Sequence, residues 1–169
     1  MKLATRLDRI EPFYVMELAK AAAAMAAGPR CDPAQGGRRM IRLNIGEPDF
    51  GAAPTVRAAA AAVAQGDTPY TDALGLPALR EAISGWYAQR FGLHVPAERI
   101  VVTAGASAGL QLACMALFER GDEVLMPDPC YPCNRHFVSA TDATPRLLPA
   151  GASARFQLDG DQVREAWTA

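Results

Sequence analysis

Apolar positions along the chain fall into two rhythms. The stretch FYVMELAKAAAAMAA (Phe13–Ala27) is rich in Ala, Leu and Met, holds no internal Gly or Pro, and meets Gly28-Pro29. That pattern predicts a helix with a sharp stop. Helices are also expected over Thr55–Gln65, with Pro54 just before it, and over Leu76–Gly92, with Pro77 in the first turn. MIRLNI (Met40–Ile45) alternates apolar and polar residues and predicts a short strand. Cys31–Arg39, the GEPDFGAAP stretch after Ile45, and Gly66–Gly75 read as loops from their Gly, Pro and Asp content.

After Leu76 the alternation becomes regular. RIVVT (Arg99–Thr103) is β-branched and apolar at its centre and predicts a buried strand, followed by the glycine turn AGASAG and a helix over Leu110–Arg120. EVLMP (Glu123–Pro127) predicts a strand, Tyr131–Ala143 a helix, Pro145–Ala150 another strand, and a final helix starts at about Asp159. Apolar strands separated by helices of this length imply βαβ units and a parallel sheet covered on both faces. The expected class is α/β, with an N-terminal helical arm ahead of a layered domain. There is no internal repeat. The final helix has nothing after it to pack against and the sheet has few strands, which points to an incomplete domain.

Composition narrows the function. Half of the 169 residues are apolar and 21% are charged, as in ordinary globular chains. A formal net charge of −1 gives no electrostatic case for nucleic acid or an anionic membrane. No apolar run is long enough to span a bilayer, and MKLATRLDRIEPF lacks the apolar core of a secretory signal, so a cytoplasmic location is expected. The four cysteines, Cys31, Cys114, Cys130 and Cys133, are then expected as thiols, with Cys114 in core packing.

Three stretches can carry chemistry. Gly105-Ala106-Ser107-Ala108-Gly109 fits the G-x-S-x-G of a hydrolase nucleophile elbow, but only His136 follows it, too soon for that fold's acid and base. The same small-residue turn from strand into helix also suits a phosphate cup, with backbone N–H groups and the Ser107 hydroxyl as donors. A plain tight turn is the alternative. Cys130-Tyr131-Pro132-Cys133 has redox spacing and opens a helix after a strand, as a thiol oxidoreductase site would. No second cysteine or histidine pair completes a zinc site, and no metal is expected. Tyr131 lies at the C-terminal end of a strand, where open α/β sheets bind ligands, and its ring suits stacking on a flat cofactor. Gly46, before Glu-Pro-Asp, is expected to open a tight turn whose amide meets an anion. Tyr70 stands beside a glycine turn that needs no buried aromatic.

In order, PFYVMELAKAA, NIGEPDF, PYTDALGLPALREAI, VVTAGASAGL and GDEVLMPDPCYPCN resemble the N-terminal part of a class I/II, fold type I aminotransferase that depends on pyridoxal phosphate. The resemblance runs from about Pro12 to the end of the chain. It implies a mostly parallel three-layer α/β/α large domain, with residues 1–53 as arm and substrate-carboxylate loop and 54–169 as the first part of the cofactor-binding domain. It also implies roles. Gly46 would meet the substrate carboxylate, Gly105, Ala106 and Ser107 would hold the cofactor phosphate, and Tyr131 would stack on the pyridine ring. Tyr70 would reach the phosphate in the partner of a homodimer. The substrates would be an amino acid and a 2-oxo acid.

The family's catalytic lysine, which holds the cofactor as a Schiff base, has no counterpart. The two lysines, Lys2 and Lys20, lie outside the family's S-K context. The expected chain is therefore an inactive N-terminal fragment. Two other readings are a short non-catalytic protein that binds a partner through its sheet edge, and a thiol oxidoreductase built on Cys130 and Cys133.

Overall fold

The computed structural model describes residues 2–168, in two units, Met1–Arg57 and Ala58–Ala169. In the first, the alanine-rich stretch forms helix α1 (Tyr14–Ala26), and the chain then passes through two 3-10 turns, Pro29–Cys31 and Pro33–Gln35. The Asp32 carboxylate caps the second turn by accepting from the Ala34 amide at 2.9 Å. Met40–Ile45 is not a strand. Its alternation would suit a half-buried strand, but among the described residues no neighbour takes its backbone groups into a ladder. Ile41 and Leu43 are accordingly 82% and 89% exposed.

Helix α2 (Pro54–Ala64) carries the boundary between the units and starts at its proline, as the sequence predicts. Helix α3 (Pro77–Phe91) also starts at a proline. It ends on Gly92 in the left-handed region at φ 66°, where the Gly92 amide donates to Ala88 and the Leu93 amide to Tyr87.

The inner side of α3 organises the chain that follows. Arg80 Nε lies 3.0 Å from the carbonyls of both Ala97 and Ile100, and its Nη2 donates to Ala97 at 2.7 Å. Ser84 Oγ donates to the Val95 carbonyl at 2.6 Å. The expected strand Arg99–Thr103 does not form. Its apolar run suits a strand flanked by two others, whereas here Val102 makes a single backbone bond, to the Leu74 carbonyl at 3.0 Å. Val101 is left 53% exposed.

The glycine turn also differs from expectation. Gly105 is already the first residue of helix α4 (Gly105–Leu117), so the small residues form the helix's opening turn and not a loop ahead of it. The helix ends at Leu117, three residues short of Arg120, because Phe118 turns extended.

The βαβ unit is present as predicted. Strand β1 (Glu123–Asp128) and strand β2 (Thr144–Pro149) pair in parallel, from Glu123 opposite Thr144 to Asp128 opposite Pro149. Helix α5 (Pro132–Ala140) is the crossover. Cys114 of α4, Met126 of β1, Val138 of α5 and Ala143 form the buried core, flanked by Phe118, Val124, Phe137 and Leu147. Helix α6 (Gly160–Ala166) begins where expected, in a capping box between Asp159 and Gln162. It does have a surface to pack on. Arg146 of β2 donates to the Ala166 carbonyl at 2.9 Å, and Gln162 to the Pro149 carbonyl at 3.1 Å.

Gly75 is among the glycines that cannot be replaced without cost. Gly75 has φ +96°, and a Cβ there would stand 2.6 Å from Val102 Cγ2. Gly75→Ala should lower unfolding free energy by about 1–3 kcal/mol, from the backbone strain and the clash. Chemical denaturation of the two chains measures this; equal midpoints and slopes would contradict it.

Candidate functional site

The residues singled out above stand on different supports. Gly105 lies at φ +81°, a region open chiefly to glycine, with nothing within 4 Å of where a Cβ would be. Its amide is already used, donating to the Thr103 carbonyl at 2.8 Å, while Thr103 Oγ1 donates back to the Gly105 carbonyl. The first turn of an α-helix leaves its leading amides without helical partners. With Gly105 spent, those of Ala106 and Ser107 remain available for an anion. The Ser107 hydroxyl is exposed and makes no hydrogen bond among the described residues. Ala104, at the N-cap, offers no side-chain cap that would compete. Gly109 serves packing, since a Cβ there would meet Thr103 Oγ1 at 3.3 Å.

Tyr70 belongs to the loop that Gly75 pins against Val102, three residues ahead of Gly105. Its ring is fully exposed, at 105% of its reference area.

Tyr131 is the N-cap of α5 and follows β1 by three residues, with Pro132 at the helix's first position. Its ring is 52% exposed. The phenol titrates above its ordinary range. The main cause is its hydrogen bond with the Cys133 side chain, next the repulsion from that sulfur once ionised, and then slight desolvation. Around it, Arg135 Nη2 lies 3.5 Å from Asp128 Oδ1 and 4.0 Å from Cys130 Sγ. Asn134 Oδ1 and His136 Nδ1 are buried and unpartnered among the described residues. The helices α4 and α5 touch each other, and their shared core holds Cys114, whose thiol burial pushes up.

Gly46 lies in the other unit. It is exposed, between bends at Asn44–Ile45 and Asp49–Phe50, and does not itself open the tight turn expected of it. Instead Asn44, Ile45, Glu47 and Asp49 line a cleft of about 240 Å3, and Asn44 Nδ2 is buried without a partner among the described residues. No cluster of three metal-ligating side chains occurs among the described residues. No helix among them is long and apolar enough to cross a membrane.

A family model described as "Aminotransferase class I and II" matches residues 38–169. The chain belongs to that family. It is 38% identical over 157 residues to the valine–pyruvate aminotransferase of Mycobacterium tuberculosis, covering 92% of this chain and 38% of that protein. It is 37% identical over 127 residues to an aspartate aminotransferase of Pyrococcus horikoshii, covering 75% of this chain and 32% of the other. Among solved structures, an aminotransferase from Mycobacterium tuberculosis superposes with a TM-score of 0.85 at 37% identity, over 98% of this chain and 41% of that one. The chain thus spans about two fifths or less of the length of these relatives. Class I and II aminotransferases depend in general on pyridoxal phosphate, and the resemblance carried by the five motifs agrees with this membership.

Sequence reasoning passed over several contributors. Nothing in LREAI marks Arg80 as the residue that collects two carbonyls. Asn44 stands out in the sequence only as part of an expected strand.

The Tyr131–Cys133 bond gives a pH test. A raised folded value means that the bond favours the neutral phenol; its contribution is present below the ordinary phenol range and is lost as pH rises through the raised value. Cys133→Ala should therefore move the Tyr131 titration down, read from ring-labelled tyrosine resonances assigned with Tyr131→Phe. An unmoved titration would contradict the bond. With a thiol reagent, Cys114 should react slowest of the four cysteines, because it is buried and harder to ionise. Peptide mapping of partial labelling checks the order, and early labelling of Cys114 would contradict it.

Proposed function

We propose that this chain supplies cofactor and substrate contacts of a pyridoxal-phosphate-dependent aminotransferase that moves an amino group between an amino acid and a 2-oxo acid. The observation that carries this reading is the pair of uncommitted amides, Ala106 and Ser107, opening a thirteen-residue helix beside the exposed Gly105. Pyridoxal phosphate, when bound, supplies the electron sink that loosens bonds at the α-carbon of an amino acid.

The chain's own residues bind and orient. Ala106 and Ser107 donate backbone N–H groups to the phosphate, the Ser107 hydroxyl adds a third donor, and the helix dipole favours the negative charge. Gly105 contributes shape: its left-handed backbone and missing side chain leave room for the phosphate to approach. The residues present therefore fit the phosphate end of the cofactor. Tyr131 presents a ring face for stacking. Tyr70, exposed on its pinned loop, reaches the phosphate held by a second subunit of a homodimer. The Gly46 amide takes the substrate carboxylate, a role supported by the uncommitted Asn44 amide nearby. The relatives named above carry different amino acids, so the substrate class is stated no more finely. Residues 1–53 act as the arm and carboxylate loop, and 54–169 as the first part of the cofactor domain.

The two lysines leave proton shuttling to a residue outside these 169. Lys20 is exposed on α1 and paired with Glu17 at 2.7 Å. We infer that the 169-residue chain does not transaminate alone. Given pyridoxal phosphate, an amino acid and a 2-oxo acid, it should show no turnover; turnover would contradict the assignment. Binding is tested with pyridoxine 5′-phosphate, which has no aldehyde and cannot attach to lysines. Tyr131→Ala should weaken it about fivefold, corresponding to a lost stacking contact of ~1 kcal/mol. Ser107→Ala should weaken it by a similar factor for one lost donor. Unchanged dialysis affinity in both variants would overturn the site.

A further inference from the structure

The segment that leads to the proposed phosphate site lacks the support that a buried strand would give it. Residues 100–103 belong to no ladder. They must nevertheless deliver Gly105 in a left-handed conformation and leave the next two amides open. Among the described residues, their anchors from outside come from one short stretch, residues 74–80. The Leu74 carbonyl accepts from the Val102 amide at 3.0 Å, and Gly75 lies so close to Val102 that a Cβ there would stand 2.6 Å from Cγ2. The Arg80 guanidinium supplies the rest. Its Nε lies 3.0 Å from the carbonyls of Ala97 and Ile100, and its Nη2 lies 2.7 Å from that of Ala97.

Those bonds clamp a turn. Ala97–Arg99 is a 3-10 turn, closed by the Ile100 amide donating to the Ala97 carbonyl at 3.1 Å. Arg80 bonds the carbonyl that opens this turn and the carbonyl just past its end, so one planar group fixes both sides. The direction in which the chain leaves Ile100 toward Gly105 is thereby set. Arg80 is partly buried, and none of the ion pairs among the described residues includes it. Its donors serve the backbone and not a carboxylate. A guanidinium holds several donors in one rigid plane, whereas a lysine ammonium is a point charge on a flexible stem. This position uses the fork and not only the charge.

We propose that Arg80 is a positioning residue for the phosphate site: by clamping Ala97 and Ile100 it aims the Ala106 and Ser107 amides at a ligand phosphate, although its own donors are spent on the chain. The inference rests on the reading of those two amides as phosphate donors. Removing the fork leaves two partly buried carbonyls without their side-chain donor. The approach to Gly105 then keeps only the Leu74 bond and the local Thr103–Gly105 pair. The open amides lose their fixed direction. Donors aimed in advance bind more tightly than donors that the ligand itself must order.

The test uses the whole isotope-labelled chain and the variants Arg80→Lys and Arg80→Ala. Without ligand, the amide resonances of Ala106 and Ser107 should move in both variants, while those of the β1–β2 pair stay in place. Lost stability alone does not shift resonances of the folded chain, so this readout reports position. Pyridoxine 5′-phosphate, followed at Ala106 and Ser107, should bind about fivefold more weakly to each variant, the effect of one lost hydrogen bond. Arg146→Ala is the matched control, because it removes another arginine–carbonyl bond, the one to Ala166 at 2.9 Å. It should leave the two resonances and the affinity as they are. If Arg80→Ala does not fold, Arg80→Lys decides the matter on the same two readouts. Unmoved Ala106 and Ser107 resonances, native affinity in a folded Arg80 variant, or equal changes in Arg146→Ala each overturn the proposal. Failure of the underlying site looks different. The unmodified chain's Ala106 and Ser107 amides would then not respond to pyridoxine 5′-phosphate at all, and the role of Arg80 would fall with them. A full response in the unmodified chain that both Arg80 variants retain removes Arg80 alone and leaves the phosphate site standing.

Discussion

Two parallel strands that are neighbours in a sheet cannot be joined by a tight turn, and the rest of this structure depends on that constraint. The chain leaving β1 at Asp128 must return to the start of β2 at Thr144, and it does so through α5. Burial of Val138, 2% exposed, and of Ala143, wholly enclosed, against Met126 and Cys114 holds the crossover down. A side chain of the size of Val138 contributes about 1.5–3 kcal/mol when removed from water. The crossover helix must start just past the C-terminal end of β1. Its N-cap, Tyr131, is therefore delivered to the sheet edge at which α/β folds bind ligands.

A second set of contacts fixes the segment from Leu74 to Ser107. Arg80 and Ser84 of α3 collect the carbonyls of residues 95, 97 and 100, and Gly75 lets the Tyr70 loop close on Val102. The segment thus arrives at Gly105 already held at several points. There the backbone turns left-handed, spends one amide on Thr103 and leaves the next two open. Donor placement thus follows from the cationic Arg80 guanidinium, the Ser84 hydroxyl and the backbone bonds at Val102 and Gly105.

Much of this is legible from the residues. The helices at Tyr14, Pro54, Pro77 and Gly160 are announced by alanine runs, prolines and the Asp159 cap, all local signals. The parallel unit from Glu123 to Pro149 follows from two apolar runs separated by a helix-length segment. The strands expected at Met40–Ile45 and Arg99–Thr103 are absent for one shared reason. Their patterns describe how they would be buried between neighbours, and strand identity is a property of the pair. Of the candidate site, the residue types at Gly105, Ser107, Tyr70 and Tyr131 are visible as motifs. That Gly105 gives shape and not an amide is not visible, since it depends on a backbone angle and on Thr103.

On this reading the opening turn of α4 and the start of α5 form one ligand site. A titration of the isotope-labelled chain with pyridoxine 5′-phosphate, followed by backbone amide resonances, tests that directly. A single site requires Ala106, Ser107 and Tyr131 to shift together along one saturation curve, and excess inorganic phosphate to compete. Shifts confined to other residues, or Ala106 and Tyr131 responding with separate affinities, would contradict it.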